Sequence, residues 1–192
     1  RFYRFLLNVC ELVYEATLPS EKQGYSRFMD FIRDNKMAAL FKKFVRNFYI
    51  EHALGFKVHA MDIAWSAVEG TPDTLSLVPK MHTDVTLESA HKKIIIDCKY
   101  YKEAFQFPYG VKKFRSDNLY QLFSYLKNKE TESGWENCEG ILLYPVVTKP
   151  FCYKLTLQNH PIKIRSLKLN QHWTGIEKEL LALIDNRFEE LV

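Results

Sequence analysis

Residues 81–103 read MHTDVTLESAHKKIIIDCKYYKE. Two strand-like runs, roughly 81–88 and 92–101, flank a short polar turn. The second passes through Ile94, Ile95 and Ile96 and ends Asp97-Cys98-Lys99. Side chains alternate along a strand. Asp97 and Lys99 therefore share one face, and Ile94, Ile96 and Cys98 share the other, toward a core. If Asp84 on the preceding strand faces the same side as Asp97, two carboxylates and one ammonium converge.

Two carboxylates a few ångströms apart repel each other, and a divalent cation relieves that cost. Hard oxygen donors suit Mg²⁺, which keeps several waters and takes one or two protein carboxylates with phosphate oxygens. Such an ion activates a water and stabilises charge on phosphorus. A neighbouring lysine orients the water and meets developing negative charge. The competing reading is a surface salt bridge at the end of an edge strand, since Asp-x-Lys is common. The run of three isoleucines before Asp97 argues instead for a central strand whose polar end opens on a cleft.

Outward from this stretch, MAALFKKFVRNFYIEHALG (37–55) places Met37, Leu40, Phe41, Phe44, Val45, Phe48 and Tyr49 on one helical face, with Gly55 as a stop. FKVHAMDIAW (56–65) reads as a strand, and SAVEGTPDTLS as a turn-rich connection broken by Gly70 and Pro72. After FQFPYG, a helix starts near Ser116 or Asp117, either a reasonable N-cap, with Leu119, Leu122, Phe123 and Leu126 as its apolar stripe. GILLYPVV (140–147) is a continuous apolar run, as in a strand buried on both faces. FCYKLTL (151–157) alternates and is expected to pair with it across Thr148-Lys149-Pro150. IKIRSLKL (162–169) slips by one at Ser166, which suggests a bulge or a strand end. An amphipathic helix follows from about Gly175. LPSEKQGYSR (18–27) reads as a loop, and Phe2 to Ala16 as an amphipathic helix. The order predicts an α/β fold, a mixed sheet flanked by helices.

The chain has 192 residues, enough for one domain with a substantial core. Hydrophobic residues at 47% and aromatic residues at 15% exclude a disordered chain. No apolar run reaches the roughly 18 to 20 residues of a bilayer span, so the reading is cytoplasmic, with no membrane. Cys10, Cys98, Cys138 and Cys152 form no CxxC pair and no zinc spacing, as free thiols do. Residues 80–115 carry eight Lys/Arg and four Asp/Glu, while the rest of the chain has 19 of each. The whole basic excess surrounds the opening stretch, where a positive field draws polyanions. A solvated lysine-rich face reads equally well from that cluster alone. The chain opens with Arg, which suggests a piece of a longer protein.

Asp84, then Asp97-Cys98-Lys99, then a helix bearing Gln121 and Tyr125 resembles the PD-(D/E)xK nuclease superfamily. Within it, the stretches HTDVTLES, KIIIDCKYY, SDNLYQLFSY and LFKKFVRNFY resemble the McrC family of nuclease subunits, from systems that restrict DNA containing modified cytosine. The likeness covers roughly residues 35–147. It implies a restriction-endonuclease-like fold over a single nuclease domain: a helical extension over 1–33, a core over 34–147, and C-terminal strands and a helix over 148–192.

The resemblance also implies roles. Asp84 and Asp97 would bind Mg²⁺ (Mn²⁺ substituting), joined by the backbone carbonyl of Cys98. Lys99 would be the catalytic lysine, with Gln121 and Tyr125, four apart on one helical face, supporting the site or touching the DNA backbone. Ordinary packing of a helix face would explain Gln121 and Tyr125 as well. Double-stranded DNA would be the substrate, and a McrB-like GTPase ring the partner, engaged through a part of the protein not in this chain. No Gly-x-x-x-x-Gly-Lys-Ser/Thr loop is present, so this sequence does not read as the GTPase itself; the resemblance implies that nucleotide hydrolysis belongs to the partner. Lys112, Lys113 and Arg115, just before the Gln121 helix, are the expected phosphate contacts, with Lys92, Lys93 and Lys102 as further candidates. Phe105, Phe107 and Tyr109 either stack on bases or pack on the core. His82, two before Asp84, either touches a phosphate or lines the rim.

Two departures stand out. The superfamily often has a glutamate on the first helix, where this chain has Lys42; Glu51, nine residues on, either substitutes or is a surface acid. Pro79, not a residue beside Asp84, is the nearest preceding proline. The alternatives are a non-catalytic DNA-binding or assembly module with the same fold, which Lys42 favours, and a PD-(D/E)xK nuclease of another system.

Overall fold

The computed structural model describes residues 25–66, 68–101, 104–147 and 149–185, with side chains from residue 35 onward. In chain order the elements are α1 (Tyr25–His52), β1 (Lys57–His59), β2 (Asp62–Ile63), α2 (Pro72–Ser76), β3 (Met81–His82), β4 (Val85–Glu88), β5 (Lys93–Cys98), β6 (Phe105–Gln106), β7 (Lys113–Phe114), α3 (Ser116–Lys129), β8 (Glu139–Val146), β9 (Cys152–Leu157), β10 (His160–Lys168) and α4 (Trp173–Ile184).

A six-stranded mixed sheet in the order β1-β4-β5-β8-β10-β9 forms the centre. β5 and β8 run parallel, as do β8 and β10, and the other neighbours are antiparallel. The isoleucine run of β5 is therefore interior, and its two faces are sorted by the strand period. Ile94, Ile96 and Cys98 pack with Ile141 and Leu143 beneath Phe41, Phe44, Val45 and Tyr49 of α1 and Ile176 and Leu180 of α4. Ile95 packs with Leu142, Tyr144, Ile162 and Ile164 against Leu122, Tyr125 and Leu126 of α3. Helices thus cover both faces of the sheet. The Tyr49 hydroxyl donates to the Leu180 carbonyl at 2.7 Å and ties α1 to α4.

α3 lies close on β8 because residue 140 is glycine. A Cβ there would sit 2.9 Å from Leu126 Cδ1 and 3.0 Å from Leu122 Cδ2. The side chains of Leu122 and Leu126, on the helix that carries Gln121 and Tyr125, would have to shift.

Several boundaries differ from the sequence expectations. The helix expected over 37–55 already begins at Tyr25, so Tyr25–Arg27 are helical and not loop; residues 1–24, including the expected first helix, lie outside the described residues. The strand expected over 56–65 splits, with β1 joining the main sheet and β2 pairing with β3 in a separate ribbon. The run 81–88 also splits, at Thr83-Asp84. The Thr83 N–H still donates to the Met61 carbonyl at 2.9 Å, but the Met61 N–H donates to the Thr83 hydroxyl at 2.9 Å, and that hydroxyl contacts the Thr86 hydroxyl at 2.9 Å.

β9 does not pair with β8 as expected. It pairs with β10, and β10 inserts beside β8 in parallel. Ser166 marks no bulge, for β10 stays in register with β8 through Lys168. Instead its hydroxyl accepts from the Phe151 N–H at 2.7 Å where the β9 pairing ends. The N-cap of α3 is Arg115, with Ser116 and Asp117 in the first turn. FQFPYG and the residues after it form a β-hairpin that its Pro-Gly content had concealed.

Candidate active site

Asp84 sits in the break between β3 and β4, and Asp97 near the end of β5. Antiparallel pairing of Val85 with Ile96 brings them side by side. Asp84 Oδ2 accepts the Cys98 backbone N–H at 2.9 Å. Its Oδ1 lies 2.8 Å from Lys42 Nζ. Asp97 is only 2% exposed. Its Oδ2 lies 2.7 Å from Lys99 Nζ, an ion pair by distance that lacks hydrogen-bond alignment, so this buried oxygen has no aligned donor.

Lys99 also donates to Gln121 Oε1 at 2.5 Å. Gln121 Nε2 donates to the Tyr125 hydroxyl at 2.5 Å, and that hydroxyl donates to the His82 carbonyl at 3.0 Å. The line of contacts leaves β5, spans about one turn of α3 from Gln121 to Tyr125 and returns to β3, two residues before Asp84. The structure thus brings Asp84, Asp97, Lys99, Gln121 and Tyr125 into one constellation, at the end of the sheet where the parallel strands β5 and β8 finish.

Burial pushes the Asp97 carboxyl up to about 6; Lys99 opposes the rise and the neighbouring Asp84 carboxylate adds to it. Burial, with Asp97 nearby, raises the Tyr125 phenol to about 12, so it stays a donor. The Cys98 thiol is raised well above its ordinary value, first by burial and then by Asp84 and Asp97. It is no nucleophile, and it faces the α1 side of the core. Burial works against the charge of Lys42, but its bond to Asp84 and the charges of Asp84 and Asp97 outweigh it and raise its pKa.

The donor set fits a hard divalent cation. A buried carboxylate oxygen without an aligned donor, beside a second carboxylate, is what Mg²⁺ binds while keeping positions for water and phosphate oxygens. Among the described residues no group of three or more His, Cys, Asp or Glu forms a metal cluster, so the protein offers this pair. The visible contribution of the Cys98 peptide is its N–H, which orients Asp84.

Other candidates fall elsewhere. The His82 ring is exposed and its Nδ1 meets Asp62 Oδ1 at 2.6 Å. Lys92 and Lys93 lie at the opposite end of the sheet, contacting Glu139 and Glu88. Lys102 lies outside the described residues. Glu51 is exposed near the C-terminus of α1, roughly 13 Å along the axis from Lys42 at 1.5 Å per residue, and does not replace the missing glutamate. Lys112 and Lys113 stand on the β6–β7 hairpin and Arg115 at its exit.

The contact of Lys42 with Asp84 was missed in the sequence. A signal existed: Lys42 is three residues before the fully buried Val45 and seven before Tyr49, on the buried side of α1.

The chain is similar to the "Type IV methyl-directed restriction enzyme EcoKMcrBC" of Escherichia coli (strain K12), 35% identical over 186 residues. That alignment covers 96% of this chain and 53% of the relative, so the chain spans about half the length of the relative. Residues 1–145 match the family described as "McrBC 5-methylcytosine restriction system component". The chain belongs to this McrBC restriction-system family.

Proposed function

We propose that this chain is a Mg²⁺-dependent endonuclease domain of the PD-(D/E)xK type, cleaving double-stranded DNA in a restriction system whose GTPase partner selects modified cytosine. The observation that carries the reading is the convergence of buried Asp97, Asp84 and Lys99. Asp84 and Asp97 would hold the ion. When bound, Mg²⁺ supplies positive charge to the phosphodiester and makes a water more acidic.

The remaining work falls to the chain's own groups. Lys99, fixed between Asp97 and Gln121, holds an ammonium where negative charge develops and where an attacking water can be oriented. Tyr125 holds Gln121 in place by bonding both it and the His82 carbonyl. The Cys98 N–H fixes the orientation of the Asp84 carboxylate. The GTPase partner would engage a part of the full protein outside this chain, and the setting is cytoplasmic. No helix among the described residues is long and apolar enough to cross a membrane.

Lys42 favours a second reading, a binding or assembly module in which its ammonium already neutralises Asp84. The test is cleavage of modified plasmid DNA by the full-length protein with its GTPase partner and Mg²⁺. The nuclease reading expects linear product from wild type and none from Asp97→Asn or Lys99→Ala proteins that retain the wild-type circular dichroism spectrum. Undiminished cleavage by Lys99→Ala overturns it. DNA retention without metal-dependent cutting by wild type supports the module.

A further inference from the structure

The β6–β7 hairpin takes no part in the chemistry above, yet both of its arms are rooted in the site. One arm leaves Lys99 through Tyr101. The other enters α3 through Arg115, six residues before Gln121. Its stem is rigid. Phe105 pairs with Phe114 across the ribbon. Phe105 packs at 4.9 Å on Phe151, and Phe114 at 5.3 Å on Tyr153, ring centre to ring centre. Lys112 Nζ lies 3.9 Å over the Phe105 ring and donates to the Tyr153 hydroxyl at 3.0 Å. The Arg115 guanidinium lies 4.6 Å over the Tyr101 ring, and Tyr101 reaches Asn118 in the first turn of α3.

The tip is built the opposite way. Phe107 and Val111 are more than half exposed and Tyr109 is fully exposed. Tyr109 is also in the left-handed backbone region, with φ 52° and ψ 32°, where non-glycine residues are strained. A bulky aromatic held in water on strained backbone gains nothing from the fold, and such an apolar patch marks a contact surface. The charge says what kind. From residue 104 to 116 the sequence has Lys112, Lys113 and Arg115 and no acid. An apolar tip on a basic stem complements a polyanion that also offers apolar edges. A duplex does so, with phosphates on the outside and base edges in its grooves. The major groove, about 12 Å wide, admits a two-stranded ribbon without deformation of the duplex, whereas the minor groove, about 6 Å wide, has to be opened and the duplex kinked first.

We propose that the β6–β7 hairpin enters the major groove of duplex DNA beside the scissile phosphate, with Phe107 and Tyr109 against the base edges. Lys113 and Arg115 hold the flanking phosphates, and Lys112 stiffens the stem. This rests on the nuclease reading, and it assigns the duplex a second point of attachment besides the carboxylate pair.

The test uses the full-length protein with its GTPase partner, in Ca²⁺ so that the duplex stays uncut. A benzophenone amino acid at position 109 is photo-crosslinked to labelled duplex. The control position is Leu54, exposed and two residues beyond the end of α1, whose last residue lies roughly 15 Å along the axis from Lys42 at 1.5 Å per residue. The expected result is a crosslink from position 109, and none from 54, to nucleotides within one helical turn of the cut mapped in Mg²⁺. The double variant Phe107→Ser/Tyr109→Ser should bind duplex at least tenfold more weakly while binding Mn²⁺ as wild type does. Crosslinks from 109 only to the partner protein or to a second copy overturn the proposal and leave the nuclease reading standing. So does wild-type duplex affinity in the double variant. If wild type neither binds duplex nor cuts it, the nuclease reading fails and the hairpin proposal goes with it.

Discussion

Lys42 Nζ and Asp84 Oδ1 meet at 2.8 Å, so a cation from α1 already sits on one of the two carboxylates expected to hold a metal. A hydrogen bond to a charged group contributes about 1.5–3 kcal/mol, and an incoming ion must displace or share it. Lys42→Met should therefore bind Mn²⁺ about tenfold more tightly than wild type in a calorimetric titration, since tenfold corresponds to about 1.4 kcal/mol. Unchanged or weaker binding would show that Lys42 does not compete at Asp84.

Gln121 is the second anchor of Lys99. Gln121→Leu frees the ammonium without touching either carboxylate. Losing about 1.5–3 kcal/mol of positioning should slow cleavage by one to two orders of magnitude, with Mn²⁺ affinity unchanged. Tyr125→Phe removes the acceptor of Gln121 Nε2 and the link to the His82 carbonyl but leaves the Lys99–Gln121 bond in place, and should slow cleavage less. Equal rates for wild type and Gln121→Leu would remove Gln121 from the mechanism.

Asp97 stores instability that the metal-free fold tolerates. Its folded pKa, about 6, lies above the ordinary 3.8 because burial disfavours its charge. Between those values the native state binds more protons than the unfolded state, so stability falls as pH rises through this window. The difference amounts to on the order of 3 kcal/mol above pH 6. Asp97→Asn should therefore melt higher than metal-free wild type at pH 7, and the gap should close toward pH 4. A gap independent of pH would mean that ionisation of Asp97 is not its cause.

At the far end of the sheet, buried Glu139 lies 2.8 Å from Lys163 and 3.0 Å from Lys92. Lys163 and Lys92 also donate to the Leu183 and Ile184 carbonyls at the C-terminus of α4. Glu139→Leu would take the carboxylate away from the buried Lys163 ammonium, and breaking a buried pair costs about 3–5 kcal/mol. Urea unfolding should show that loss. Mn²⁺ affinity in native buffer should be unaltered, because β5 and β8 run parallel and the carboxylate pair lies at their other end.

The sheet centre was legible because β5 obeys the strand period without exception: Ile94 and Ile96 face one layer, Ile95 the other. The same alternation put Asp97 and Lys99 on one side. The position of β9 was not legible. CYKLTL and IKIRSLKL alternate alike, and nothing local says that β10, not β9, sits beside β8. That choice depends on long-range packing under α4. The break at Thr83-Asp84 was hidden for a different reason. A threonine favours strands, yet here its hydroxyl takes the Met61 N–H just before the break at Asp84. Lys42 was read as a missing acid, because a sequence shows the departure from a pattern more readily than the new contact that departure makes.

The most direct test of the central claim is anomalous diffraction from crystals soaked in millimolar Mn²⁺. The account predicts a peak within bonding distance of both Asp84 and Asp97, with Lys99 still held by Gln121, and no peak in crystals of Asp97→Asn. Absence of a peak in wild type, with Lys42 still on Asp84, would contradict the claim that this pair of carboxylates is a metal site.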